Sequence, residues 1–159
     1  MSDRPTLAKT VWTAADFATM GWHDNAVHAL ALEPAPPYPS CLLVDLDYIV
    51  AWVPPTPPGT AFSFWICPAT LVFDPAWDLT ADIDLRIFSF ELSLNAIERS
   101  GPDAHGIFAW TLDGHEFTMR LRATGFTQYL RCPPICSPHQ RLSIDDRGGL
   151  SFDRYGYTR

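Results

Sequence analysis

The chain of 159 residues contains a single lysine, Lys9, and arginine supplies its other ten positive charges. Eighteen carboxylates outnumber them, so the formal net charge is −7. That balance repels phosphate backbones and argues against nucleic-acid binding. No window approaches the roughly 18 uninterrupted apolar residues of a membrane-spanning helix, so no membrane partner is expected. The first residues lack a basic segment followed by an apolar run, so a secretory leader is not expected. The bacterial cytoplasm is then the expected compartment, with reduced cysteines. Four cysteines do not make a disulfide framework in a chain long enough to bury a core. The sequence also has no Gly-Xaa-Ser-Xaa-Gly elbow, no phosphate-cradling loop and no His-Glu-Xaa-Xaa-His zinc motif. These absences weigh against an enzyme without excluding one.

What is present points to strands. Hydrophobic residues make up 47% of the chain, with ten Phe, six Trp and five Tyr. Aromatic and β-branched residues suit a pleated, half-buried surface. The fifteen prolines are about twice the usual share of roughly 5%, and they cluster at residues 34–39 and 54–59, which marks those stretches as loops. The longest clean strand signal is residues 41–52, CLLVDLDYIVAW. Leu42, Val44, Leu46, Tyr48, Val50 and Trp52 form one apolar face. Cys41, Leu43, Asp45, Asp47, Ile49 and Ala51 form the other, interrupted at its middle by two carboxylates.

The remaining strands follow the same logic. Residues 26–32 alternate well enough for one. Residues 62–67 and 69–73 flank Pro68, which predicts an edge strand or a bulge. Residues 79–87 alternate with one wet face, and a parity switch near Ile87 and Phe88 predicts a bend. Asp113-Gly114 between alternating runs is the strongest hairpin signal, setting Phe108, Trp110 and Leu112 against Phe117, Met119 and Leu121. Residues 126–130 read as a short strand, 132–136 as a loop, and 142–152 as a last hairpin-like pair. Thr13 and Asp16 form a capping-box variant that starts a short helix through Phe17 and Met20, ending at Gly21. There is no βαβ alternation and no internal repeat. The expected fold is all-β, a mainly antiparallel sheet in a sandwich or partly closed barrel, with one short N-terminal helix. It forms a single domain over residues 1–159, with residues 1–12 as an arm.

Three groups of side chains carry candidate chemistry. The first is His23, Asp24 and His28 with Asp45 and Asp47, because imidazoles and carboxylates ligate zinc and other divalent metals. In an extended chain Asp24 and His28 share a face, and Asp45 and Asp47 join them if the two strands are neighbours. The competing reading has Asp24 and Asn25 capping a turn and Asp45 and Asp47 on a solvated face. The second is Cys132, Cys136 and His139, which would need the remote Cys41 and Cys67 to complete a zinc site, and which otherwise reads as a redox pair or two reduced loop thiols. The third is a polar loop cluster: Thr124, Thr127, Gln128, Arg131, Ser137, His139, Gln140 and Arg141. Separately, Trp52, Phe62, Phe64, Trp65, Trp77 and Trp110 would either line a ligand pocket or fill the core.

Residues 17–25, 43–52, 67–73 and 123–128 together resemble a family of small bacterial proteins without an assigned activity. The resemblance covers most of the chain and implies no catalytic site. By size, charge and fold class the chain is more loosely similar to small acidic immunity-type proteins that neutralise toxins. These features favour a non-enzymatic acidic interaction protein, monomeric or homodimeric, with a basic protein partner. The alternative is a domain that binds a small ligand or a divalent metal such as zinc at the His/Asp cluster, with or without catalysis there.

Overall fold

The computed structural model describes residues 3–34, 40–84 and 91–158. Among the described residues there are nine strands: β1 (Val11–Thr13), β2 (Asn25–Glu33), β3 (Ser40–Val53), β4 (Ser63–Ile83), β5 (Leu92–Ser100), β6 (Phe108–His115), β7 (Phe117–Ala123), β8 (Thr127–Leu130) and β9 (Ile135–Ser137). Every pairing is antiparallel. The order β4-β3-β2-β5-β6-β7 returns to β4, so the sheet closes into a ring. The all-β expectation holds, and the ring is intermediate between the sandwich and barrel alternatives.

The ring depends on the 21-residue β4. The sequence suggested separate strands over 62–67, 69–73 and 79–87, yet one strand runs through Pro68 and Pro75. On one side β4 pairs with β3 along its first two thirds. On the other it pairs in turn with β9, β8 and β7, a return strand broken into three. The N and O of a strand residue point the same way, and the Pro68 carbonyl accepts from Arg131 N at 2.9 Å. The missing N–H of Pro68 therefore faces the gap between β8 and β9, and no bond to β3 is lost. The bend proposed near Ile87 and Phe88 lies outside the described residues.

The interior is built as the alternation dictates. Leu42, Val44, Leu46 and Tyr48 of β3 meet Cys67, Ala69, Leu71 and Phe73 of β4. Trp22, Phe73, Trp110 and Phe126 fill the middle with edge-to-face ring contacts. Each such side chain contributes about 1.5–3 kcal/mol by leaving water. The helical segment is a 3-10 helix, Ala14–Thr19, capped as expected: Thr13 N donates to Asp16 Oδ2 at 2.8 Å. Its Phe17 packs on Trp110, and the Arg99 guanidinium covers both Phe17 and Phe108.

Two expectations are corrected. The two strands pair, but a two-residue Asp113-Gly114 link would set Leu112 opposite His115, whereas Leu112 lies opposite Met119, Trp110 opposite Leu121 and Phe108 opposite Ala123, and the turn residue in the left-handed region is Glu116 (φ 67°), not Gly114. Gly114 instead makes room: a Cβ there would fall 2.1 Å from the Phe117 ring. Residues 142–152 do not pair as a hairpin. They form an irregular segment that turns at Gly148 and Gly149, both at positive φ, and lies over the outer face of β3.

Candidate functional site

Two β-bulges aim the side chains of interest. Val27 pairs with Leu46 and Ala29 with Asp45, so His28 is an extra residue on β2. Ile49 pairs with Ile66 and Ala51 with Trp65, so Val50 is an extra residue on β3. A bulge changes which residues face which way. The first turns His28 onto the outer face, where it meets Asp47. The second moves Trp52 from the inner face, where strict alternation puts it, to the outer face opposite Phe64. Trp52 is 44% exposed.

The outer face of β3 is dry. Cys41 and Leu43 pack with Val72 at one end, Ile49 with Phe64, Ile66 and Leu142 at the other. Asp45 and Asp47 sit between these clusters at 0% exposure, so the solvated-face reading is overturned. Their charges are matched by Arg131 and Arg147, also buried. Asp45 Oδ1 accepts from Arg131 Nη2 and Arg147 Nη2, each at 2.7 Å. Its Oδ2 accepts from Arg147 Nη1 at 2.7 Å and Ser151 N at 3.0 Å. Arg147 Nε reaches Asp47 Oδ1 at 3.1 Å. Asp47 Oδ2 accepts from His28 Nε2 and Leu142 N, both at 2.8 Å. Burial alone would push the Asp45 carboxyl up, but the hydrogen bonds and charges of Arg147 and Arg131 outweigh it and hold that carboxyl below the usual range.

The tautomer of His28 follows from its neighbours. Arg141 Nη2 lies 3.3 Å from His28 Nδ1, and a guanidinium can only donate. Nδ1 is therefore the acceptor, and Nε2 carries the proton given to Asp47. Arg141 Nη1 is buried and has no hydrogen-bond partner among the described residues.

Of the five residues singled out for metal binding, His28, Asp45 and Asp47 share this network. Asp24 occupies a left-handed turn (φ 61°) and accepts from Gln140 Nε2 at 2.8 Å. His23 lies at the surface, stacked on Trp52 with ring centroids 6.3 Å apart. Among the described residues no group of three or more His, Cys, Asp or Glu is placed to hold an ion. Every oxygen of Asp45 and Asp47 already accepts a donor from the protein, so a cation there would have to displace a guanidinium or a backbone N–H.

The other two groups divide. Cys41 lies in an outer cluster and Cys67 in the inner one, on opposite faces of the sheet, so the four thiols cannot converge on one site. All four thiols are free. From the polar loop cluster, Arg131 joins the network, and Gln128 is buried with its Oε1 accepting from Trp22 Nε1. Gln140 and Arg141 build one wall of a surface groove of about 620 Å³. The opposite wall is aromatic: Trp52, Phe62 (46% exposed) and Phe64, with Trp52 edge-on to both. Four of the five predicted residues thus form the footing of this groove, and Asp45 is tied instead to Arg131 and Arg147. His23 backs Trp52, Asp24 anchors Gln140, and Asp47 through His28 positions Arg141.

Arg147 was missed by sequence reasoning. A signal for it exists, because two carboxylates flanked on their own face by Cys41, Leu43 and Ile49 must be buried, and buried carboxylates require cations. Which arginine answers is not written in any local pattern. No helix among the described residues is long and apolar enough to cross a membrane. Comparisons with family models, with curated proteins and with solved structures return no significant match.

Proposed function

We propose that the protein is a non-enzymatic binding protein that meets a basic protein partner at the aromatic groove. The observation that carries this reading is the pair Trp52 and Phe62, two large rings left half exposed beside a wall fixed from below. Aromatic rings in such positions serve as interface anchors, since they bury much area at little cost in side-chain freedom. The imidazole and carboxylates that would do acid–base work are engaged within the fold. A net charge of −7 steers a cationic partner and raises its association rate. The likeness to immunity-type proteins belongs to this reading, with a basic toxin as the class of partner.

The test is capture from host lysate at low salt with untagged protein and with the Trp52→Ser/Phe62→Ser variant. A basic protein retained by the wild type and lost by the variant supports the reading. Identical capture by both, or nothing specific by either, overturns it. A second reading, a small anionic ligand in the groove, is favoured by Arg141, which lines it and whose Nη1 has no hydrogen-bond partner among the described residues. Native mass spectrometry of protein purified without chelator separates the two. A bound small molecule or metal adds mass that His28→Ala or Arg141→Ala would release.

A further inference from the structure

The strand pairing brings together two thiols that are 65 positions apart in the chain. β8 runs against β4 with Thr70 opposite Tyr129 and Ala69 opposite Leu130. One step further, Arg131 N donates to Pro68 O at 2.9 Å. The backbone groups of Leu130 point the other way, to Thr10 O and Tyr157 N. Positions 70/129 and 68/131 are therefore the hydrogen-bonded pairs and 69/130 a non-hydrogen-bonded one; the next place in that series, just past the last paired residue of β8, sets 67 against 132. Pairs of the second kind hold their Cα atoms about 4.5 Å apart with side chains at their closest. That lies within the roughly 4.4–6.8 Å that a disulfide spans. Cys67 belongs to the inner cluster with Ala69 and Leu130, and Cys132, two residues after Leu130, is close enough to act on its thiol.

Chemical surroundings agree with this placement. Burial first, and the neighbouring Cys132 second, push the Cys67 thiol up to about 12. Cys67 is fully buried and Cys132 half buried, so an oxidant from solvent meets Cys132 first. Cys136 is carried away: between β8 and β9 the return strand takes two extra residues, which sets Cys136 opposite Trp65.

We propose that Cys67 and Cys132 are an oxidation-sensitive pair that closes to a disulfide between β4 and the β8–β9 connection, with a peroxide as oxidant. In the first step the Cys132 sulfur attacks the peroxide O–O bond, giving a sulfenic acid and one water. In the second the Cys67 sulfur displaces the sulfenic hydroxyl, forming the S–S bond and releasing a second water. Two thiols are oxidised and one peroxide is reduced. The bridge closes a long loop and restricts the unfolded chain.

The experiment treats the folded protein with hydrogen peroxide, blocks remaining thiols, and reads intact mass and a non-reducing peptide map. The expected result is loss of two hydrogens, one cross-linked peptide pair carrying residues 67 and 132, and a raised melting temperature that a thiol reductant reverses. Cys136→Ser should cross-link like the wild type. Cys132→Ser and Cys67→Ala should not, and Cys132→Ser carries the test alone if the core variant misfolds. A Cys132–Cys136 link, oxygen added at Cys136 alone, or unreacted thiols would each overturn the proposal.

Discussion

On one side of β3, Leu42, Val44, Leu46 and Tyr48 enter an aromatic interior. On the other, Asp45 and Asp47 lie between Cys41, Leu43 and Ile49, and residues of both sides are buried. The inner side is held by contacts without direction, which adjust when a neighbour changes. The outer side is held by hydrogen bonds that demand one arrangement. Asp45 and Asp47 accept two backbone N–H groups from the C-terminal segment, those of Leu142 and Ser151, besides the Arg147 side chain. A segment without strand pairing thereby acquires a fixed position. The difference is between a face that supplies stability and a face that supplies placement.

The sharpest way to break that comparison is a pair of adjacent substitutions. Asp45→Ala strands two buried guanidinium groups and is expected to cost about 3–5 kcal/mol. Leu46→Ala leaves a cavity and is expected to cost about 2–5 kcal/mol. Chemical denaturation measures both, but hydrogen exchange distinguishes them. Asp45→Ala should release protection at the amides of Leu142 and Ser151, whereas Leu46→Ala should lower protection across the ring and leave those two amides relatively unchanged. An Asp45→Ala cost under roughly 1 kcal/mol would mean that the outer face is not dry.

A double-mutant cycle on Asp45 and Arg147 sharpens the same point. Either single removal abolishes the same hydrogen bonds between the two side chains, so that shared loss is counted in both single variants and only once in the double. The two single costs should therefore exceed the double cost by roughly 1–3 kcal/mol. The same cycle on Leu46 and Leu71, inner residues that do not share a charge, should be closer to additive.

Acid offers a third probe. The Asp45 carboxyl is held below its usual range in the folded protein. A depressed folded pKa contributes stability that is fully present above the unfolded value, about 3.9, and is lost as pH falls through the folded one. Stability should be insensitive to this group from pH 5 to 8 and should decline below about pH 4. The gap between wild type and Asp45→Asn in urea midpoint should narrow over that same acid range. A gap unchanged down to pH 2 would show that the carboxylate charge is not what the arginines recognise.

The two faces also differ in how much of them was legible. Period-two alternation in residues 42–48 was enough to identify the inner face, and the capping pair Thr13 and Asp16 gave the helical turn. Asp45, Asp47 and His28 were visible as a group because their chemistry stands out against an apolar background. Their role was not visible, because Arg131 and Arg147 are brought to them by tertiary pairing over 86 and 102 positions. The bulges at His28 and Val50 were hidden for a related reason. An extra residue on one strand is defined only by its partner, so no single strand's pattern announces it. Trp52 was placed on the inner face on this account.

That reassignment sets the smallest expected effect. Trp52 touches Phe62, Phe64 and His23 at the rim of the groove but contributes nothing to the interior or the ion network. Trp52→Ser should change stability by no more than about 0.5 kcal/mol, the range of surface positions away from buried features. Trp110→Ser, deep in the ring, should cost at least about 3 kcal/mol by analogy with core aromatic deletions. If Trp52 were instead packed as strict alternation predicts, the two costs would be similar. A small stability change combined with lost partner capture would place the function of this residue at the groove. A large change would mean that the β3 bulge at Val50 is not populated, and the groove would lose its aromatic wall.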